Sequence, residues 1–272
     1  MTDLTVGDVL GGPAPLERRE LELLLEHVLN KNRAWLLAHS REPLAPEHEQ
    51  QLAALTERVA AGEPLAYVLG TWSFYGLNVR VTTATLVPRP ETEELVDRAL
   101  ALMPPDTSGR AVDLGTGSGA IALALARERP GWQIAATDQS AEAVEVAREN
   151  ARALGLGCIK FFIGDWWRAV GDRRFNLVVS NPPYVVPGDP RLTARGEPPL
   201  ALYGGADGLD AYRAIVRGLG RHLETGGSFL VEHGLDQQRE IAALVAQHFA
   251  QVEAVRDLAG HPRIIVATGF KP

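Results

Sequence analysis

"RAVDLGTGSGAIALALARE", residues 110–128, changes character twice along its length. Ala111, Val112 and Leu114 make a short apolar run that reads as a buried strand. Three glycines then alternate with Thr116 and Ser118, and an alanine–leucine run of helical character follows. A strand that passes through a glycine turn into a helix is half of a strand–helix–strand unit. Gly115, Gly117 and Gly119 lack a Cβ, so the turn is tight and a ligand is free to press on its backbone. The amides of the first helical turn point at whatever lies there.

The same alternation continues downstream. "QIAATD" (133–138) is strand-like, and "SAEAVEVARENARALG" (140–155) is a helix ended by Gly155. "CIKFFIGD" (158–165), "FNLVVSN" (175–181) and "GSFLVEH" (227–233) are three more short strands. Helices are expected at about 208–223 and 236–249, and "QVEAVRDLAGHPRIIVATGF" (251–270) offers two final strands. This order predicts an α/β fold, a doubly wound, mostly parallel seven-stranded sheet with helices on both faces.

Upstream the pattern is different. Leu21, Leu24, Leu25, Val28 and Leu29 recur at helical spacing within an expected helix over 16–38, and a second helix starts at Pro46 and stops at Gly62. Residues 1–71 therefore read as a small helical domain. "WSFYGLNVRVTTATLV" (72–87) alternates around Gly76, which makes 72–90 a hairpin linker. A ligand-binding domain over 91–272 then opens on a helix with Glu91, Glu93 and Glu94 in its first turn, where the helix dipole favours them.

Composition narrows the function classes. The chain has 272 residues, 46% hydrophobic and 22% charged, and a net charge of -7. That sign argues against an unaided grip on nucleic acid. Eleven acidic and six basic residues fall within the first 75 positions, so the accessory region is the more acidic part. Cys158 is the sole cysteine, which excludes an internal disulfide and suits a reducing compartment. "MTDLTVGDVLGG" has no basic stretch followed by an apolar core, so no secretory signal is expected. No apolar run approaches the ~18–20 residues that span a bilayer. A cytoplasmic protein follows, with no membrane partner and nothing that demands more than a monomer.

Candidate site residues gather at the carboxyl ends of the expected strands. Asp138 lies 23 residues beyond Gly115, near the ~20-residue spacing at which a carboxylate holds a ribose hydroxyl. It serves equally as a cap for the helix that starts near Ser140. Gly115, Gly117 and Ala120 also satisfy a dinucleotide-binding pattern, so the loop alone leaves the cofactor open. In "GDWW", Asp165 is placed to accept an exocyclic amine of an adenine and Trp166 to cover its face, although a loop tryptophan is as readily part of a core. One ligand pocket explains why Gly115, Asp138, Asp165 and Asn181 all fall at this edge of the sheet.

"SNPPYV" (180–185) is the most specific stretch. Pro182 and Pro183 stop the strand and stiffen the chain beyond it. The Asn181 side-chain carbonyl and the Pro182 backbone carbonyl offer two acceptors for the two hydrogens of one NH₂, and Tyr184 offers a flat wall. An amide nitrogen is a poor nucleophile, so aiming it at an electrophilic carbon is the main task. Orientation of this kind is worth up to about 7–11 kcal/mol.

"DLGTGSGAIALALA", the acid in "ATDQS", "GDWW" and "SNPPYV" resemble the class I S-adenosylmethionine-dependent methyltransferases of amino and amide nitrogens. Within these, the chain is similar to the HemK/PrmC family, the peptide-chain release factor N5-glutamine methyltransferases. The likeness runs through "AYVLGTWSFYGLNVRV", "LVPRPETEELVD" and "EPPLALYGGADGLDAYR", over about residues 64–266. The resemblance implies methyl transfer from S-adenosyl-L-methionine to the glutamine of the Gly-Gly-Gln loop of class 1 release factors. It implies cofactor contacts from Gly115, Thr116, Gly117, Ser118, Gly119, Asp138, Asp165, Trp166 and Asn181. It assigns the substrate amide to Asn181, Pro182, Pro183 and Tyr184, and catalysis to Asn181, Pro182 and Tyr184. It also implies that the helical domain over 1–71 is a substrate-recognition domain that helps to grip the release factor, and that 91–272 is the methyltransferase domain.

Three other functions share parts of this pattern. An adenine-N6 methyltransferase on DNA or RNA uses the same kind of turn but needs a basic groove, which an acidic accessory domain does not supply. A nicotinamide oxidoreductase leaves the Asn-Pro-Pro-Tyr turn unexplained. A non-catalytic nucleoside-binding module leaves the intact turn without a purpose. The seven histidines show no metal-ligand spacing, so no metal is expected; Glu232 and His233 end a central strand, a position that can face the cleft, and read first as packing or capping groups.

Overall fold

The computed structural model describes residues 4–189, 196–257 and 259–272; the first three residues of "MTDLTVGDVLGG" lie outside them. Residues 4–71 with Gly196 form one compact unit, and the rest of the described chain from Trp72 forms a second.

The first unit is helical: α1 (Val6–Gly11), α2 (Arg18–Leu29), α3 (Arg33–Ala38), α4 (Pro46–Ala60) and α5 (Leu65–Leu69). The helix expected over 16–38 is two helices. Asn30 turns left-handed at φ 50° and ends α2, and the Asn32 side chain accepts the Trp35 amide at 2.9 Å to start α3. The apolar spacing continues through the break, so periodicity alone does not reveal it. Val6, Leu24, Leu25, Leu36 and Leu52 form the core. Glu22 is buried beside them and binds Arg33 at 2.8 Å and Arg19 at 3.1 Å. The Arg33 hydrogen bond holds its carboxyl below the usual range against the cost of burial.

A hairpin of β1 (Thr71–Phe74) and β2 (Leu77–Arg80) follows. It ends at Arg80 rather than near residue 90, and its bonds tie it to the second unit rather than leaving it a free linker. The Arg80 amide donates to Asn150 Oδ1 at 2.7 Å, and the Tyr75 amide to Glu93 at 2.7 Å.

The second unit continues with α6 (Glu91–Ala101), β3 (Arg110–Leu114), α7 (Ala120–Glu128), β4 (Gln133–Asp138), α8 (Ala141–Ala153), β5 (Lys160–Ile163), β6 (Phe175–Ser180), α9 (Pro199–Leu202), α10 (Asp210–His222), β7 (Leu223–Glu232), α11 (Gln238–Ala246), β8 (Phe249–Arg256) and β9 (Pro262–Phe270). The sheet order is β5-β4-β3-β6-β7-β9-β8. The five strands from β5 to β7 are parallel; β9 runs antiparallel to both β7 and β8. Ala111 to Leu114 of β3 are all buried, as expected of a strand covered on both faces. The chain leaves β3 toward β4 on one side and returns to β6 on the other. That reversal opens a crevice at the carboxyl ends of the strands. The short α1, α5 and α9 were not legible in the sequence, because four to six residues are too few to show a helical period.

Candidate active site

The glycine loop sits across the end of β4. Gly115 and Thr116 donate their amides to Thr137 O at 2.9 and 2.8 Å. Gly115 has φ +74°, and a Cβ there would stand 3.6 Å from the Trp166 ring, so a side chain at 115 would fill the space under the indole. Below the loop, buried Asp113 accepts the Thr116 hydroxyl at 2.6 Å on Oδ2. Its Oδ1 has no hydrogen-bond partner among the described residues, and burial pushes its carboxyl up to about 7.

Asp138 both caps and faces the cavity. Oδ1 accepts the Ser140 amide and Oδ2 the Gly117 amide, each at 2.9 Å. A carboxylate has about four acceptor positions, so two backbone donors leave room for hydroxyl groups of a ligand. Burial raises its pKa, and the Ser140 and Gly117 amides oppose the rise. Opposite, Trp166 starts a short 3₁₀ turn (Trp166–Ala169) with φ +42°, a left-handed conformation that is costly for a bulky side chain and that clusters at functional sites.

The Asn-Pro-Pro-Tyr turn leaves β6 beside this loop. Ser180 is buried and donates to Leu114 O at 2.6 Å, which locks the end of β6 to the end of β3. Asn181 donates Nδ2 to Thr92 Oγ1 at 3.1 Å, and Thr92 Oγ1 donates to Glu232 Oε2 at 2.6 Å. Tyr184 packs on the core, with its hydroxyl 3.4 Å from Glu232 Oε1. Burial raises the Tyr184 phenol well above its ordinary range.

The turn is held from behind by a second loop and by one side chain. Val185 donates to Leu202 O at 2.8 Å, and Gly204 donates to Val185 O at 3.0 Å. A Cβ at 204 would fall 2.6 Å from Pro183 O and 2.9 Å from Tyr184 Cα, so only glycine allows so close an approach. Gln237 Nε2 donates to Tyr184 O at 3.0 Å and to Gly208 O at 3.2 Å, while its Oε1 accepts the Gly234 amide at 3.0 Å. One carboxamide thus joins three loops. Gln237→Ala is expected to lower stability by about 1–3 kcal/mol, since it strands partly buried backbone groups. It is also expected to lower kcat more than it raises the cofactor Kd, which denaturant titration, turnover and calorimetry together would show; unchanged stability and kcat would refute the clamp.

Gly115, Thr116, Gly117, Ser118, Asp138, Asp165, Trp166, Asn181 and Pro183 line one cavity of about 310 Å³. Part of its remaining wall comes from Leu86, Pro88 and Thr92 on one segment and Pro198, Leu200 and Ala201 on another. Buried Glu197 fastens these segments together: Oε1 accepts the Val87 amide at 2.8 Å, and Oε2 pairs with Arg89. "PRPETE" and "EPPLALYGG" are therefore two sides of one structural feature.

Three expected site residues lie off the cavity lining. Gly119 caps α7 and packs toward α8, where its Cβ would be 3.1 Å from that of Ala147. Pro182 is buried in the turn, and Tyr184 faces Glu232. Thr92 and Gln237 were missed as parts of the site, and Glu232, although at a strand end that can face the cleft, reads first as a packing or capping group. A carboxylate closing the apolar run "FLVE" was a usable signal, because a buried acid requires partners. Gln237 carried none. Among the described residues, no three His, Cys, Asp or Glu side chains gather into a metal-binding group, and no helix is long and apolar enough to cross a membrane.

A seven-stranded sheet with this order, a glycine loop after β3 and a ligand cavity at its switch point define the class I methyltransferase fold. A methyltransferase from Pyrococcus furiosus shares it, with a TM-score of 0.55 at 18% identity over 79% of this chain and 98% of that one. The family model "Methyltransferase small domain" matches residues 95–195, and "PrmC N-terminal domain" matches 12–70. The chain is 46% identical to a release factor glutamine methyltransferase of Xylella fastidiosa (strain 9a5c), over 92% of this chain and 93% of that protein. It is 41% identical to that of Escherichia coli (strain K12), over 93% of each. The chain belongs to the release factor glutamine methyltransferase family.

Proposed function

We propose that this protein transfers a methyl group from S-adenosyl-L-methionine to the side-chain amide nitrogen (N5) of the glutamine in the Gly-Gly-Gln motif of class 1 peptide chain release factors. The observation that carries the reading is that Asn181 and the glycine loop line the same cavity, so an amide held by Asn181 lies beside the cofactor position. The likeness to release factor glutamine methyltransferases over nearly the whole chain supports the substrate and disfavours an adenine-N6 activity.

The residues present fit the cofactor. The backbone at Gly115 and Gly117 leaves space that side chains would fill, Asp138 keeps free acceptor positions, and Trp166 offers a ring face. When bound, S-adenosyl-L-methionine supplies an electrophilic methyl carbon on a sulfonium. The protein's part is orientation. Asn181 Oδ1, on the cavity lining, accepts one N–H of the substrate carboxamide, and the carbonyl of Pro182, a residue set back from the lining in the same turn, is assigned the second; together they fix the nitrogen's direction of attack. No strong base is required first: the nitrogen becomes positively charged as it bonds the methyl carbon, the sulfur keeps the electron pair of the broken bond, and one of the two N–H protons is then lost readily to water. Leu200, half exposed in the cavity wall, and Pro183 exclude water from the amide. The helical first unit contributes to recognition of the release factor, and the reaction belongs to the cytoplasm.

Mass spectrometry of a purified release factor incubated with the enzyme and methyl donor tests the proposal. One added methyl on the loop glutamine is expected, and none when that glutamine is replaced by alanine. An unmodified release factor, or methylation elsewhere, would overturn it.

A further inference from the structure

The chain Glu232–Thr92–Asn181, which runs from two buried side chains to the cavity lining, contains more order than packing requires. A carboxamide has a donor end and an acceptor end, and half a turn about its last bond exchanges them. The proposed reaction needs the acceptor end of Asn181 toward the substrate NH₂. A donor there would face another donor.

Thr92 has a single hydroxyl hydrogen. It is directed to Glu232 Oε2 at 2.6 Å. An ionised carboxylate only accepts, so Thr92 Oγ1 is left with only acceptor capacity toward Asn181. Asn181 must then offer Nδ2, the 3.1 Å bond observed, and its Oδ1 is left for the cavity. We infer that Glu232 and Thr92 are positioning residues which set the flip of the Asn181 carboxamide, and through it the ability of the site to hold a substrate amide. The inference rests on the amide-methylation reading and deepens it.

Glu232 is enclosed on every side. Oε1 receives the Tyr184 hydroxyl at 3.4 Å, and the Tyr212 hydroxyl from α10 donates to the Glu232 backbone carbonyl at 2.9 Å. Arg263 on β9 favours its charge and Glu91 on α6 opposes it, with His233 next in the chain. Burial outweighs these and the Thr92 bond, and raises the carboxyl to about 7. A buried acid without a close ion pair is costly to the fold, and such acids concentrate at functional sites.

The direction of the pH effect follows from the donors. A proton on Oε2 makes Glu232 donate to Thr92, which frees the Thr92 hydrogen to donate to Asn181 and turns the carboxamide round. Turnover therefore rises with pH through about 7, and the ionised form is the active one. In Glu232→Gln the Tyr184 hydroxyl, which donates to Oε1, holds the glutamine carbonyl on its own side and turns the NH₂ to Thr92, so the variant imitates the protonated state at all pH.

The test uses the full-length enzyme with release factor and methyl donor, and a sample labelled with ¹⁵N-asparagine. Thr92→Val is expected to lower kcat about 100-fold, as small misplacements do, with the cofactor Kd within about 3-fold of wild type. Thr92→Ser, which keeps the hydroxyl, recovers most of the turnover. Glu232→Gln gives low, pH-independent kcat. The Asn181 side-chain NH₂ signals, assigned from Asn181→Ala, shift with pH through about 7 in wild type. That shift is lost in Thr92→Val and Glu232→Gln. Wild-type kcat in Thr92→Val, or a pH step kept in Glu232→Gln, would overturn the inference. Should Glu232→Gln fail to fold, Thr92→Val and the wild-type titration decide. If wild type leaves release factors unmodified, the reaction is wrong, while the NMR titration still judges the relay.

Discussion

Asn181→Ala lowers turnover on the release factor by an expected 10²–10³-fold, roughly what enzymes lose with one preorganised hydrogen-bonding group. The cofactor Kd stays within about 3-fold, because the glycine loop, Asp138 and Trp166 are untouched. The split follows from where the side chain acts. Its Nδ2 is engaged by Thr92, so what alanine removes from the cavity is Oδ1, one of the two acceptors assigned to the substrate NH₂. The Pro182 carbonyl remains, and with it half of the orientation. Ser180 still locks β6 to β3, so the turn keeps its place and the loss is chemical rather than structural. Asn181→Asp is the sharper companion. It keeps an acceptor but gives Thr92 nothing to accept, and so is also expected to fall well below wild type. Single-turnover rates and calorimetry with the demethylated cofactor distinguish the outcomes. An alanine variant with kcat within a few fold of wild type would remove Asn181 from the mechanism.

The parts of this site that were readable in the sequence are those set by strand order. Once the alternation of strands and helices is seen, the carboxyl ends of β3, β4, β5 and β6 must lie along one edge, and Gly115, Asp138, Asp165 and Asn181 come together without any contact being known. Side-chain direction was not readable. Tyr184 has the composition of a cavity wall, yet the fold turns it onto Glu232, because Gln237 and Gly204 hold the turn from behind. The partners that orient Asn181 lie 89 residues away at Thr92 and a further bond away at Glu232, a distance no local pattern spans. Strand direction at the far edge was equally hidden: β8 and β9 show ordinary strand composition, and only their pairing makes them antiparallel.

The second large effect comes from a glycine that no motif marks. Trp167 follows the cavity tryptophan Trp166 and anchors the same 3₁₀ turn. Its indole N–H donates to Ile215 O at 2.8 Å, and its ring stacks on His222 at 4.7 Å with planes 2° apart. The ring lies flat on α10 at Gly218, and a Cβ at that position would stand inside the indole. Alanine has the higher helix propensity, so local preference favours Gly218→Ala by up to about 1 kcal/mol. The clash acts the other way. Forcing Trp167 off the helix costs about 1–3 kcal/mol in overpacking and about 1–3 kcal/mol for the stranded indole N–H. The clash wins, and Gly218→Ala is expected to be less stable than wild type by about 3 kcal/mol. The displaced turn carries Trp166 with it, so the cofactor Kd is expected to rise at least ~10-fold, corresponding to about 1.4 kcal/mol. Gly220, two residues on in the same helix, has nothing within 4 Å of its Cβ position. There the propensity term acts alone, and Gly220→Ala is expected to stabilise by up to about 1 kcal/mol with cofactor affinity unchanged. Urea titration and calorimetry on both variants give opposite signs for the same chemical change two residues apart in one helix. Equal behaviour of the two would mean that Trp167 does not lean on Gly218 and does not hold Trp166 at the cavity.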